Sequence, residues 1–169
     1  MFNLKLNIMR KLAILFVATF WSLLVYSQED IPNVIVKDLQ GKKVNIQNVI
    51  AEKPLVVLTF WASWCKPCHQ ELNSIADLYE EWNEETGVEV VAISIDDSRA
   101  SGKVKSLVAG NDWPFIVLLD ENADLKRALN ITNVPFLLLF KNGKIVHKHV
   151  GYTPGSEMEL FEIIKKNTK

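Results

Sequence analysis

The two cysteines of this chain, Cys65 and Cys68, are separated by only two residues, and they constrain the fold more than any other feature. An apolar run over residues 55–61 ends shortly before them. The apolar residues that follow them recur at helical spacing: Leu72, Ile75, Tyr79 and Trp82. A cysteine pair between a buried strand and the first turn of a helix is the arrangement that produces a reactive dithiol.

The N-terminal segment predicts a secretory signal peptide. Basic residues at the start are followed by an uncharged, mostly apolar stretch over residues 12–25, and then by small residues at the usual cleavage positions. The stretch is short for a membrane-spanning helix, which needs about 20 residues. We therefore expect residues 1–27 to be a signal peptide, residues 28–169 to form one domain, and the protein to be exported to the periplasm. The alternative is that the segment stays uncleaved as a membrane anchor.

Charge and cysteine content narrow the function classes. The chain has 19 Lys and Arg against 20 Asp and Glu, a net charge of −1, and no basic stripe, which argues against nucleic-acid binding. Disulfides form and persist outside the cytoplasm, but one closely spaced pair is too little for a structural disulfide framework. Because a loop this short restrains little chain entropy, redox use is favoured over structural use.

The remaining sequence predicts strands that alternate with helices. We predict strands at residues 34–37, 44–46, 55–61, 88–95, 115–119, 136–140 and 144–150. We predict helices at about residues 65–84, 99–109 and 123–129, and from Ser156 onward, where Ser156 and Glu159 have the spacing of a capping box. This order favours an α/β fold, with helices on both faces of a mixed central sheet.

The helix after the cysteines suggests separate roles for the two thiols. Only a thiolate attacks a disulfide, and the unpaired N–H groups and dipole of a helix N-terminus stabilise an anion. Cys65 lies at that end, with Lys66 adding a positive charge, and is therefore the predicted nucleophile. Pro67 suits the first helical turn. Cys68 is the predicted resolving thiol, which closes a disulfide with Cys65 and releases the substrate.

Two other uses of the cysteines compete with the dithiol. With His69 they match the C-x-x-C-H pattern for haem attachment, but their place between strand and helix disfavours it. A zinc site could draw on the same three residues with His147 and His149. Structural zinc sites usually close with two spaced ligand clusters, and we read the two strand histidines as an exposed strand face. We therefore predict no metal and no cofactor.

Residues 60–68, Phe-Trp-Ala-Ser-Trp-Cys-Lys-Pro-Cys, resemble the active-site strand and turn of the thioredoxin superfamily. Val134-Pro135, before the last hairpin, resembles its cis-proline. The resemblance covers residues 31–169 and is nearest to the exported thioredoxins of the TlpA and ResA type. It implies a thioredoxin-like domain with an N-terminal hairpin and a strand–helix insertion, here at about residues 96–120.

The resemblance also implies roles for further residues. Glu71 matches a glutamate that tunes the thiols and shuttles protons in ResA-like reductases; the alternative is an ordinary surface glutamate. Thr59 stands where cytoplasmic thioredoxins have a buried aspartate, so proton transfer would need Glu71, water or the substrate. Trp64 would shield one side of the site, whereas Trp61 would be core. If the bond before Pro135 is cis, it exposes the preceding backbone, Val134, for a substrate chain to pair with.

The leading hypothesis is an exported thiol–disulfide oxidoreductase that reduces disulfides of client proteins. A membrane thiol electron donor, implied by the resemblance, would restore the dithiol, and apocytochrome c is one class of client. The first alternative is an oxidase or isomerase on the same fold. The second is a binding domain whose dithiol is incidental, which a Cys65→Ser variant would leave functional.

Overall fold

The computed structural model describes residues 31–168, and the predicted signal peptide lies outside them. The sheet contains seven strands: β1 Ile35–Asp38, β2 Lys43–Asn45, β3 Leu55–Trp61, β4 Glu89–Ser94, β5 Ile116–Leu119, β6 Phe136–Lys141 and β7 Lys144–Val150. Within residues 31–168, five α-helices accompany it: α1 Ile46–Ala51, α2 Lys66–Thr86, α3 Ser101–Asn111, α4 Asp124–Ala128 and α5 Ser156–Asn167. A 3₁₀ turn at Ser98–Ala100 precedes α3. The predicted α/β architecture is confirmed.

The strand order across the sheet is β2-β1-β5-β4-β3-β6-β7. Strands β3, β4 and β5 are parallel, whereas β6 runs antiparallel to β3 and the β1–β2 hairpin joins the sheet antiparallel to β5. The central strand β3 is buried along its whole length, which explains why its sequence is a continuous apolar run. The predicted N-terminal hairpin and the predicted insertion are both present, and β1 of the hairpin pairs with β5 of the insertion at one side of the mixed sheet.

Two hydrophobic cores lie on opposite faces of the sheet. One packs the odd-numbered residues of β3 against α2, α3 and α5, and it contains both cysteines. The other packs the even-numbered residues of β3 against α1 and α4. This division follows from the two-residue side-chain period of a strand. Every residue on the odd-numbered face of β3, including Thr59, therefore points toward α2.

Two local predictions are wrong. The strand predicted at residues 44–46 ends at Asn45, and residues 46–51 form α1, which was not predicted, because the Asn45 side chain accepts a hydrogen bond from the Gln47 N–H and caps the helix. Ser156 and Glu159 do not form a capping box. The α5 N-cap is Gly155, at a φ of 99°, and its N–H donates to the Glu157 carboxylate.

Candidate active site

The cysteines lie where β3 passes into α2. Cys65 is the N-cap residue of α2, and its Sγ accepts a hydrogen bond from the Cys68 N–H at 3.3 Å. Pro67 occupies the first turn, where the backbone N–H that proline lacks has no helical partner. The 21-residue helix ends at Gly87, which adopts a φ of 67°. The Cys65 sulfur is therefore held at the end of a long helix, among N–H groups that favour an anion.

The two cysteines form a disulfide, with their Cα atoms 5.3 Å apart. Cys65 is 5% exposed and Cys68 is fully buried. The neighbouring Trp64 is 69% exposed, whereas Trp61 is buried, as predicted. The outer cysteine is thus the one that a second protein can approach, and an exposed aromatic surface lies beside it.

Glu71 follows Cys68 by three residues on α2, and it is only 4% exposed. The interpretation as an ordinary surface glutamate is therefore wrong. The Thr59 Oγ1 hydroxyl donates to Glu71 Oε2 at 2.7 Å. Burial raises the pKa of Glu71 from 4.5 to about 7, although the Thr59 hydrogen bond partly opposes the rise. A buried carboxyl group that titrates near neutral pH lies one helical turn from the inner cysteine.

The Val134–Pro135 peptide bond is cis. Phe136, directly after it, pairs with Phe60 near the end of β3, so the proline and the cysteine loop lie at the same edge of the sheet. The Pro135 carbonyl accepts a hydrogen bond from the Gly151 N–H. Within residues 31–168, the Val134 backbone makes no hydrogen bond to another backbone group. The backbone N–H and C=O groups of Val134, beside the cysteine loop, are therefore available to pair with another chain.

Asp96 anchors the loop before the cysteines, a role that was not predicted from the sequence. Its carboxylate accepts hydrogen bonds from the Ser63 N–H at 2.8 Å, the Ser63 hydroxyl at 2.7 Å and the Ser94 hydroxyl at 2.8 Å. Asp96 is 6% exposed. The sequence does contain one indication of this role: Asp96 directly follows the buried strand predicted at residues 88–95. Functional sites often form at the carboxyl ends of parallel strands.

The three histidines are each half-buried, whereas His147 and His149 were predicted to lie on an exposed strand face. His69 is half-buried, packs edge-to-face on Trp61, and keeps its Nε2 atom without a hydrogen-bond partner in the described part of the chain. His147 and His149 are also half-buried, with parallel rings 6.5 Å apart. They face α2 and α5 rather than solvent, because His149 pairs with Leu137 and shares its face of the sheet.

Among residues 31–168, no three His, Cys, Asp or Glu side chains are grouped so that they could hold a metal ion. The same residues contain no helix that is both long and apolar enough to cross a membrane.

Comparison with known proteins agrees with this geometry. The AhpC/TSA family model matches residues 28–150. The thiol-disulfide oxidoreductase ResA of Bacillus cereus is 32% identical over 134 residues, which cover 79% of this chain and 75% of ResA.

Solved structures show the same fold. An uncharacterized thioredoxin-like protein from Porphyromonas gingivalis superimposes with a TM-score of 0.73 at 39% identity, covering 85% of this chain and 94% of that one. A protein of Chlorobium tepidum assigned as the thiol:disulfide interchange protein DsbE gives a TM-score of 0.72 at 25% identity, covering 84% and 97%. With the sheet order and the cysteine pair, these matches show that the chain belongs to the AhpC/TSA family and, within it, to the thioredoxin-fold relatives of ResA.

Proposed function

We propose that this protein is an exported thiol–disulfide oxidoreductase that reduces disulfides of client proteins. The observation that carries the proposal is the asymmetric cysteine pair, with Cys65 capping α2 and still 5% exposed, and Cys68 fully buried behind it. Membership of a family whose relatives are named thiol-disulfide oxidoreductases supports it. Residues 1–27 would direct export and be removed, which leaves residues 28–169 as the thioredoxin-like domain.

Reduction proceeds in two exchange steps. The Cys65 thiolate attacks one sulfur of a client disulfide, so a mixed disulfide forms and the other client sulfur leaves as a thiolate that takes a proton. Cys68 then attacks the Cys65 sulfur, which forms the intramolecular disulfide and releases the reduced client. Both electrons pass from the cysteine pair to the client. A membrane protein dithiol would later reduce the pair by the same exchange.

Glu71 is proposed as the proton acceptor for Cys68. The attacking thiol must lose its proton, and Glu71 is buried on the same helix face, three residues on. Because its pKa is about 7, the carboxyl group can both accept and return a proton at neutral pH. Thr59 cannot take this proton, but its hydroxyl holds the carboxylate in place.

The client is proposed to bind across Trp64 and the cis-proline edge. The Val134 backbone can pair with an extended client segment as a short added strand, which is a sequence-tolerant way to hold many proteins. Trp64 adds apolar contact beside Cys65. Such a platform suits several clients, including apocytochromes, and it requires no bound cofactor or metal.

Insulin reduction, with the equilibrium potential of the cysteine pair, tests the function. The wild-type protein should catalyse reduction of insulin by a thiol, and Cys65→Ser should abolish catalysis. A potential near that of thioredoxin, about −270 mV, indicates a reductase, whereas one near about −120 mV indicates an oxidase. Equal insulin reduction by wild type and Cys65→Ser would contradict the proposal. Sequencing the N-terminus of the exported protein tests cleavage, and an intact Met1 start would refute it.

A further inference from the structure

A small cavity of about 40 Å³ lies between α2, β6, β7 and α5, and Glu71, one helical turn beyond Cys68, forms part of its lining. Apolar side chains, among them Leu137, form part of its wall. The titratable side chains around it come from α2, β7, the loop after β7, and α5: Glu71, His147, His149, Tyr152, Glu157 and Glu159. Of these six, the exchange reaction uses only Glu71. The cavity therefore connects Glu71, the proposed proton acceptor, with five titratable side chains that have no role in the exchange reaction.

Strand register fixes how the two histidines relate to Glu71. Thr59 on β3 holds Glu71 and pairs with Leu137 on β6, which in turn pairs with His149 on β7. These three strand residues form one row on a single face of the sheet. Thr59 and His149 are two strands apart, a distance of about 10 Å across the sheet. The cavity covers this distance, because Glu71, which Thr59 holds, and His149 both line it.

The cavity has a buried end and a surface end. Glu71 is 4% exposed, whereas Glu159 is exposed and the two histidines are half-buried. A volume of about 40 Å³ accommodates about two or three water molecules, and the polar lining offers each of them hydrogen-bond partners. A dry apolar void would lack such partners, so this cavity should be hydrated.

The remaining polar groups form one side of the cavity. The Tyr152 hydroxyl donates to Glu157 Oε2 at 2.9 Å, and it lies 2.8 Å from the Ser74 hydroxyl, which donates to it. These hydrogen bonds fix the Tyr152 hydroxyl on that side. They leave the histidine pair as side chains whose ring nitrogens can accept a proton from cavity water and donate it to solvent.

The surroundings of His147 suit that task. Burial lowers the pKa of His147, and the neighbouring His149 lowers it further, while Glu159 opposes the shift. The neutral imidazole that burial favours has a free ring nitrogen lone pair, so it can accept a proton, become an imidazolium and pass the proton on.

We propose that this cavity is a hydrated proton route from Glu71 to solvent, with His147 and His149 as the proton carriers at its outer end. The inference rests on the proposed function, because it serves the proton that Cys68 loses when it attacks Cys65. That proton moves from the Cys68 thiol to the Glu71 carboxylate, then through cavity water to an imidazole, and then to solvent. It returns by the same route when a thiol donor reduces the disulfide. No electrons move along the route.

A double variant, His147→Gln with His149→Gln, removes the carriers and keeps polar side chains. His69→Gln is the matched control, since His69 packs on Trp61 and does not line the cavity. The first measurement needs no turnover: a ¹³C NMR titration of the Glu71 carboxyl in the disulfide form. Because imidazolium charge near the cavity favours the carboxylate, the pKa of Glu71 should shift upward in the double variant and stay unchanged in the control. Superimposable titration curves for wild type and double variant would overturn the proposal.

The second measurement is the rate at which Cys68 resolves a preformed mixed disulfide on Cys65. At pH 7 the double variant should be slower by about tenfold, and added imidazole should restore the rate, since a mobile base replaces the missing carriers. A purely structural role would not give imidazole rescue. An unchanged rate, or a slower rate that imidazole does not restore, would overturn the route. If the double variant does not fold, His149→Gln alone is measured by the same criteria.

The two hypotheses fail in different ways. If the wild-type protein does not reduce insulin but the double variant still raises the pKa of Glu71, the proposed function is refuted. The link between the two histidines and Glu71 is then supported. A wild-type protein that reduces insulin, with a double variant identical to it in both measurements, would refute the proton route alone.

Discussion

The Thr59 hydroxyl donates a 2.7 Å hydrogen bond to Glu71 Oε2 and so joins the central strand to the active-site helix inside the core. Both residues are buried, and Glu71 lies one turn beyond Cys68 on α2. The hydrogen bond stabilises the carboxylate while burial destabilises it, and burial is the larger effect, which places the pKa of Glu71 at about 7. Thr59 therefore does not act as an acid itself, but holds the carboxyl group of Glu71 on the neighbouring helix.

Replacing Thr59 with Val should raise the pKa of Glu71 above its wild-type value of about 7. The substitution preserves shape but removes the side-chain hydrogen bond from Thr59 that favours the ionised form. A ¹³C NMR titration of the Glu71 carboxyl measures the change. Thr59→Ser keeps the hydroxyl and should leave the pKa near that of the wild type. An equal shift in both variants would contradict a role for the hydrogen bond.

Replacing Glu71 with Gln should remove a pH dependence of stability. The folded protein holds the Glu71 proton more tightly than the unfolded chain does, so it binds more protons between pH 4.5 and about 7. The stabilisation is therefore fully present below pH 4.5 and is lost as the pH rises through about 7, and the loss is on the order of 3 kcal/mol. Urea unfolding of both proteins from pH 4 to pH 8 checks this, and parallel curves would contradict it.

Much of the fold could be predicted because local pattern and tertiary structure agree. The apolar run of β3 and the helical spacing after Cys68 each indicate the element that the structure contains. The wrong predictions concern one short helix, α1, and the cap of α5, where one hydrogen bond decides the outcome. At α1 that bond is the cap from Asn45, and at α5 it is the contact between Gly155 and Glu157.

The site was predictable only where one short segment determines it. Cys65, Cys68 and Pro135 occur in recognisable local patterns, whereas Asp96 contacts Ser63 across 33 residues of sequence. The histidines of β7 also required the structure. A strand alternation shows that His147 and His149 share a face, but not that α5 covers this face and encloses a cavity with Glu71.

Replacing Asp96 with Asn should destabilise the protein by about 2–3 kcal/mol, because a carboxylate that accepts three hydrogen bonds becomes an amide that turns an N–H₂ group toward a donor. The loop that carries Cys65 should loosen, and insulin reduction should slow. Asp97→Asn is the matched control, since Asp97 is exposed and pairs with Arg99 at the surface. Equal unfolding free energies for the two variants would show that Asp96 does not anchor the loop.

Replacing Cys68 with Ala should trap clients as stable mixed disulfides on Cys65. The partly exposed Cys65 can still attack a client, but the fully buried thiol that would resolve the intermediate is gone. The buried carboxyl group of Glu71 cannot replace Cys68, because only a thiolate resolves a mixed disulfide. Non-reducing gel electrophoresis with mass spectrometry of captured proteins measures the accumulation.

The converse variant, Cys65→Ala, distinguishes the two roles. It keeps a buried Cys68 that a client disulfide cannot approach, so adducts on this variant should be rare compared with those on Cys68→Ala. Both variants lack the disulfide, so a difference between them reflects position and not the loss of the cross-link. Equal capture by the two would mean that Cys65 is not the attacking thiol, and the asymmetric burial of the pair would then have no part in the mechanism.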